Sequence, residues 1–470
     1  MQLLEGLALT NNKLKTIQID LFYGLSKLEG LDISNNSIES LPSGVFRDLH
    51  LLQRLGLYQN KLSVIQTELF YGLTKLQVLG LRNNTIKSLP MGVFRDLQLL
   101  KELDLNNNKL KIIKIDQFYG LSKLQILYLS NNDIESLPSG VFQDVPILQE
   151  LRLNNNKLKM IQIDHFHGLT KLEILTLGYN NIESLPSHVF RDLQLLQEVG
   201  LNNNQFKRIE MDLFHWLTKL EILTLAYNII ESLPSHVFRD LQLLQGLALN
   251  NNQLKGTEID LFYGLTELKT LYLTNNSIES LLSGVFKDLQ LLQELDISCN
   301  KLKIIQLDLF YNLTKLQILD LSNNSIKSLP SGAFRDLHLL QELWLFDNKL
   351  KMIQIDLFYG LTKLEALDLS NNSIESLPSG VFQDQQSLQW LVLGDNNLKK
   401  IQIDLFYGLT QLETLDLSNN SIEALPSGHT LDNISHLIFN YNTLNTFTPS
   451  LFKDLTHLRE LPGVPKKGYM

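Results

Sequence analysis

Leu28-Glu29-Gly30-Leu31-Asp32-Ile33-Ser34-Asn35-Asn36-Ser37-Ile38 is the stretch on which the fold turns. Its skeleton, L-x-x-L-x-L-x-x-N-x-L, places Leu31 and Ile33 in alternation with polar neighbours, as a short half-buried strand requires, and Asn36 then ends the strand. An asparagine occupies the same place at 12, 36, 60, 84, 108, 132, 156, 180, 204, 228, 252, 276, 300, 324, 348, 372, 396 and 420, always 24 residues apart. A parallel strand cannot return through a hairpin, so each unit must cross back by a connecting segment, and 24 residues suffice for a strand and an irregular return. Leu28, Leu31, Ile33, Ile38, Leu41 and Phe46 are the inward positions. No unit can bury them alone, so stacking has to supply the core. The asparagine amide carries two donors and an acceptor, which suit it to satisfy backbone groups where the strand bends into its loop. Asn36, Asn108, Asn204, Asn300 and Asn396 represent this ladder along the chain.

Two unit types alternate, one like Asn12-Lys-Leu-Lys-Thr-Ile-Gln-Ile-Asp-Leu-Phe-Tyr-Gly-Leu25 and one like Asn36-Ser-Ile-Glu-Ser-Leu-Pro-Ser-Gly-Val-Phe-Arg-Asp-Leu49, so the sequence period is 48 up to about residue 420. Both keep a phenylalanine ten residues after the asparagine, as at Phe22, Phe46, Phe142 and Phe406, which predicts a stacked spine opposite the strands. These features resemble the leucine-rich repeat proteins, and the unit with Leu41-Pro42 and Phe46 is similar to the 24-residue class of Toll-type receptors, Slit, chaoptin and variable lymphocyte receptors. The fold class expected is α/β in a loose sense: a solenoid bent into a horseshoe, with a concave parallel β-sheet and mostly irregular convex returns. Residues 1–461 read as a single array of about nineteen repeats and part of another, and 462–470 as a short irregular tail. The resemblance implies an extracellular or cell-surface protein that binds a protein ligand through its concave face, as a receptor ectodomain or adhesion molecule does.

The chain has 470 residues, 44% hydrophobic and 19% charged, with a net charge of -9 and a pI near 5.6. No general basic field is available for phosphate backbones or anionic membranes, so neither nucleic acid nor direct membrane contact is expected. No apolar run approaches a spanning helix, and no export signal opens the sequence. Because the chain starts inside a unit, the first strand is expected to be uncovered, as in a fragment, and self-association through uncapped ends is a further expectation. Cys299 is the only cysteine, which excludes an internal disulfide; it reads as a small substitute in a turn, or else as a reactive thiol. Gln385 stands where earlier units are aliphatic, and the unit from Asn420 to Asn442 is shortened, with Thr430 in place of phenylalanine.

No nucleophile motif, phosphate loop or metal signature occurs, and carboxylate pairs recur because the unit was copied, so neither an enzyme nor a cofactor is expected. His165, His167, His188, His215 and His236 cluster in sequence without completing a metal ligand set. On the return side one column alternates aromatic and cation, from Tyr23 and Arg47 to Tyr311 and Arg335, which predicts cation–π stacking or a partner surface. Six sequons are by-products of the Asn-Asn-Ser/Thr ladder, whereas Asn312 and Asn433 lie outside it and are the candidate glycosylation sites.

Function is expected in the departures from the repeat. Arg54, Arg82 and Arg152 mark the first half of the concave face, while Glu294, Asp296, Asp320, Glu342, Asp368 and Asp416 make the second half acidic. Trp344 and Trp390 fall at concave strand positions two units apart, with Phe346 beside the first. At strand spacings near 4.8 Å the two side chains would be separated by about 10 Å, an aromatic shelf on a floor of Asp320, Glu342 and Asp368. Such clusters mark interaction sites; in a second reading the tryptophans pack on each other to shield the stretch near Gln385. A basic or mixed protein surface is the expected partner. Two other classes stay open: a self-associating structural protein, and a non-catalytic scaffold subunit of an enzyme complex.

Overall fold

The computed structural model describes residues 4–258, 260–402, 404–424 and 434–445. Chain contacts divide it into two compact units, Met1–Leu244 and Gln245–Met470. The first holds strands β1 (Gly6–Ala8) to β10 (Ile222–Thr224), the second β11 (Gly246–Ala248) to β19 (His436–Ile438), each of three residues. Within each unit successive strands pair in parallel and in register, as Leu31 with Leu55 or Leu319 with Leu343. That register is what the copied skeleton demands, since a slip would turn the leucines out to solvent. Among the described residues there is no helix; the returns are runs of turns. Asn433, Thr430 and the 462–470 tail lie outside the described residues.

From Asn36 on, the ladder amides join neighbouring turns. Asn204 donates to Leu177 O at 3.0 Å in the preceding turn and to Leu201 O and Asn202 O at 3.2 and 3.3 Å in its own. Its oxygen accepts the Ile182 N–H at 3.0 Å. Asn108, Asn300 and Asn396 repeat this pattern in buried sites, and Asn36 does so half-buried. The residue before each ladder asparagine is left-handed, with φ between 50 and 58°. Asparagine tolerates that region better than other side chains, which explains why the pair is usually Asn-Asn. Cys299 is one of the exceptions, at φ 51°, and burial pushes its thiol up, away from thiolate reactivity.

Leu28, Leu31, Ile33, Ile38, Leu41 and Phe46 are all buried. The phenylalanines are buried in one column but stack in short runs in place of the expected continuous spine. Ring centroids are 5.9 Å apart for Phe22 and Phe46 and 5.8 Å for Phe358 and Phe382, and no ring contact among the described residues joins Phe46 to Phe70 or Phe94 to Phe118. The two unit types fit each other at the surface: the left-handed Gly72 of one donates its N–H to Asp96 of the next at 3.1 Å, and Asn312 takes the glycine's place at φ 67°, donating to Asp336 at 3.0 Å. Gln385 is fully buried, and its amide donates to Phe358 O at 2.6 Å.

The aromatic–cation column behaves differently from expectation. Of its pairs only Arg335 over Tyr311, at 5.9 Å, makes a cation–π contact among the described residues. Elsewhere the guanidinium turns to the aspartate that follows it, as Arg47 to Asp48 at 3.8 Å and Arg191 to Asp192 at 3.6 Å. That carboxylate is fixed nearby by the N–H of the preceding turn. Arg335 itself reaches Asp336 at 3.8 Å while it lies over Tyr311, so the aspartate is the contact these arginines share.

Candidate functional site

On the sheet face each turn presents the first and third residues of its strand and the residue two further on, because side chains alternate along a strand. In β14 (Ile318–Asp320) to β18 (Thr414–Asp416) the first row reads Ile318, Glu342, Ala366, Trp390, Thr414, and the second Asp320, Trp344, Asp368, Val392, Asp416. The third row is Ser322, Phe346, Ser370, Gly394, Ser418, and no Lys or Arg stands in any of them. The two tryptophans therefore occupy different rows. They are diagonal, offset by two strands and by two residues along the strand, about 12 Å apart in place of the 10 Å a single row would give. No ring contact joins the two indoles among the described residues. Trp390 is 51% exposed, whereas Trp344 is half-buried and donates Nε1–H to Glu342 Oε2 at 3.2 Å. Phe346 is half-buried beside it.

The carboxylates have a structural task that the sequence reading missed. Asp320 Oδ1 accepts the Ser322 N–H at 2.8 Å, and Asp368 Oδ1 accepts both the N–H of Ser370 at 2.8 Å and its hydroxyl at 2.6 Å. Asp296 and Asp416 repeat the bond with Ser298 and Ser418. Each closes the end of its strand with one oxygen. The signal was legible as the recurrent Asp-x-Ser of these turns. Burial, then the neighbouring aspartates, push Asp320 up to about 6, and Asp296 and Asp368 move the same way, also chiefly by burial. In the same unit Tyr272 donates to Glu294 at 2.9 Å, and burial with that bond raises it to about 12.

The sheet face of the first unit is mixed in charge; Arg54 is exposed, and Arg82 and Arg152 are paired within the face. Arg82 lies over Tyr58 at 5.0 Å and 3.9 Å from Asp104, and Tyr58 donates to Asp32 at 3.2 Å. Arg152 pairs with Glu150 and lies 5.9 Å over Tyr128. On its return side His167 and His215 bond Asp192 and Asp240, each at 2.7 Å, and His215 meets Trp216 edge-on at 4.8 Å. Among the described residues no group of three or more His, Cys, Asp or Glu is arranged to hold a metal ion.

The leucine rich repeat profile matches in overlapping segments, residues 2–62, 51–110, 98–158, 146–206, 194–254, 242–302, 290–350, 345–398 and 386–429. No curated protein sequence matches. Among solved structures, the plant peptide hormone receptor RGFR1 in complex with RGF2 is 26% identical, with a TM-score of 0.76 over 97% of this chain and 74% of that one. Drosophila Toll in complex with Spatzle is 24% identical, with a TM-score of 0.72 over 93% of this chain and 57% of its own. The TLR13–ssRNA13 complex is 24% identical, with a TM-score of 0.52 over 96% of this chain and 83% of that one. The likeness to the last two is one of fold.

Proposed function

The chain belongs to the leucine-rich repeat family, and from that premise we propose that it is a non-catalytic recognition scaffold whose sheet face binds a protein or peptide ligand. The patch is Trp344, Phe346 and Trp390 with Asp320, Glu342 and Asp368, in the second unit. The observation that carries this reading is the exposed Trp390 on a face that offers carboxylates and no cation. Large exposed aromatics supply binding energy at interfaces, and the surplus acid selects a basic partner. RGFR1, solved with RGF2, is a relative of matching fold that holds a peptide. TLR13 was solved with ssRNA13, but the acidic rows here would repel phosphates. An extracellular or cell-surface setting, with receptor or adhesion duty, fits these likenesses, and Asn312 and Asn433 are the glycosylation sites we assign to it.

The test is a random peptide display selection on the full chain. Enriched sequences should combine Lys or Arg with apolar residues, and Trp344→Ala with Trp390→Ala should weaken a selected peptide about tenfold or more while the melting curve is unchanged. Acidic winners, or full affinity in that folded double variant, would remove the patch.

A further inference from the structure

The return face of the first unit carries apolar side chains that burial does not explain. In the turns that begin at Asn108 and Asn156, Ile112, Ile115, Tyr119, Met160 and Ile163 are 54–68% exposed. The repeats themselves act as a comparison: in the equivalent turns of this unit Thr16 and Arg208 stand in place of Ile112 and Met160, and Thr67 in place of Ile115 and Ile163, so both positions are apolar together only in the turns of Asn108 and Asn156. The turns that follow each of these ridges, at Asn132 and Asn180, carry small residues there, Pro138-Ser139-Gly140 and Pro186-Ser187. Ridge and groove thus alternate from turn to turn. Charge alternates with them, in the column Lys111, Glu135, Lys159, Glu183, whose members are all exposed and make no ion pair with one another. Beside it, a cavity of about 180 Å³ opens between the turns of Asn156 and Asn180, lined by Ile163, His167, His188 and Arg191 among others. One wall of it, His188, is held at φ 68°, where the equivalent Gly44, Gly92 and Gly140 carry no side chain.

We propose that this return face is a homodimer interface, in which a second copy of the chain packs its ridges into these grooves about a two-fold axis between the turns of Asn132 and Asn156. The axis is chosen by charge. A two-fold that set each turn on its own equivalent would oppose Lys to Lys and Glu to Glu. The axis between turns instead sets Lys111 against the partner's Glu183, and Glu135 against the partner's Lys159. It also directs Tyr119 toward the cavity beside the partner's Arg191, where the ring would find the cation that the chain's own fold turns toward Asp192. Equal numbers of Lys and Glu in the column argue against an anionic lipid surface as the occupant. The footprint of four turns is small for a stable complex, so association is expected at micromolar concentration. This interface is independent of the sheet-face patch in the second unit.

The experiment is sedimentation of the full chain up to about 100 μM. The wild type should double its mass with concentration, and Lys111→Glu with Lys159→Glu, or Glu135→Lys with Glu183→Lys, should each weaken this about tenfold or more. Mixing the two double variants restores every opposed pair, so the mixture should dimerise. Ile115→Asp with Ile163→Asp should abolish dimers with an unchanged melting curve, since both sites are exposed. Trp344→Ala with Trp390→Ala should leave them intact. A wild type that stays monomeric, no rescue on mixing, or dimers lost through the tryptophans would overturn the proposal. So would a monomer that binds phosphatidylserine vesicles through Ile115 and Ile163.

Discussion

At the scale of single residues, the ladder amide and the buried aspartate pull stability in opposite directions. Replacing Asn204 by Leu strands the N–H of Ile182 in a buried site and takes one of two donors from the carbonyls of Leu177, Leu201 and Asn202, which keep Asn180, Asn228 and the Tyr179 N–H. The expected loss is about 1–3 kcal/mol, read from a urea midpoint; an unchanged midpoint would contradict the ladder. Asp320, 8% exposed, has its carboxyl raised from 3.8 to about 6. Between those values the folded chain keeps a proton that the unfolded chain has released, so this group lowers stability as pH rises from about 4 to 6, and the deficit persists above. Asp320→Asn keeps an oxygen for the Ser322 N–H and removes the charge. It should gain about 1–3 kcal/mol at pH 7 and flatten the pH dependence in that window. Denaturation at pH 7 and 4.5 checks both the sign and the slope.

At the scale of the element, the turn is held together by what it shares with its neighbour. Phe142 stacks on Phe118 at 5.9 Å and on Phe166 at 6.5 Å. Its replacement by Ala opens a void touching three turns, with an expected cost of about 3–5 kcal/mol in the melting curve. Gly120 is the sharper case. At φ 89° an added Cβ would stand 2.8 Å from Arg95 O, a backbone atom that cannot step aside. Gly120→Ala should therefore destabilise by about 1–3 kcal/mol. Gly24→Ala meets nothing within 4 Å, so it should lose only the smaller part due to its φ of 76°. Equal losses in the two variants would refute the close approach.

For the whole molecule, strand contacts among the described residues of each unit run only between consecutive strands, so stability is a chain of nearest-neighbour terms. In Asn204→Leu, hydrogen exchange should speed up in the turns that begin at Asn180 and Asn204 and stay slow in those that begin at Asn324 and Asn348. Uniform acceleration along the chain would mean a single cooperative block instead.

The period of 24 and its apolar skeleton were enough to dictate strand register, the buried leucines, the ladder and the buried Phe22-type column, because a stacked coil leaves one inward direction for each of those positions. The sequence also pointed to Trp344 and Trp390 as departures from the repeat. Only the tertiary structure decided that they lie in different rows, that Glu342 holds Trp344, and that Asp320 and Asp368 close their own strands. It also set Arg47, between Tyr23 and Tyr71, and Arg191, between His167 and His215, beside Asp48 and Asp192. Those outcomes depend on groups a few ångströms apart, where a carboxylate fixed by a backbone N–H draws the guanidinium whether or not a ring lies beside it. Spacing along the chain carries the direction of a side chain, but not which of two reachable partners it takes.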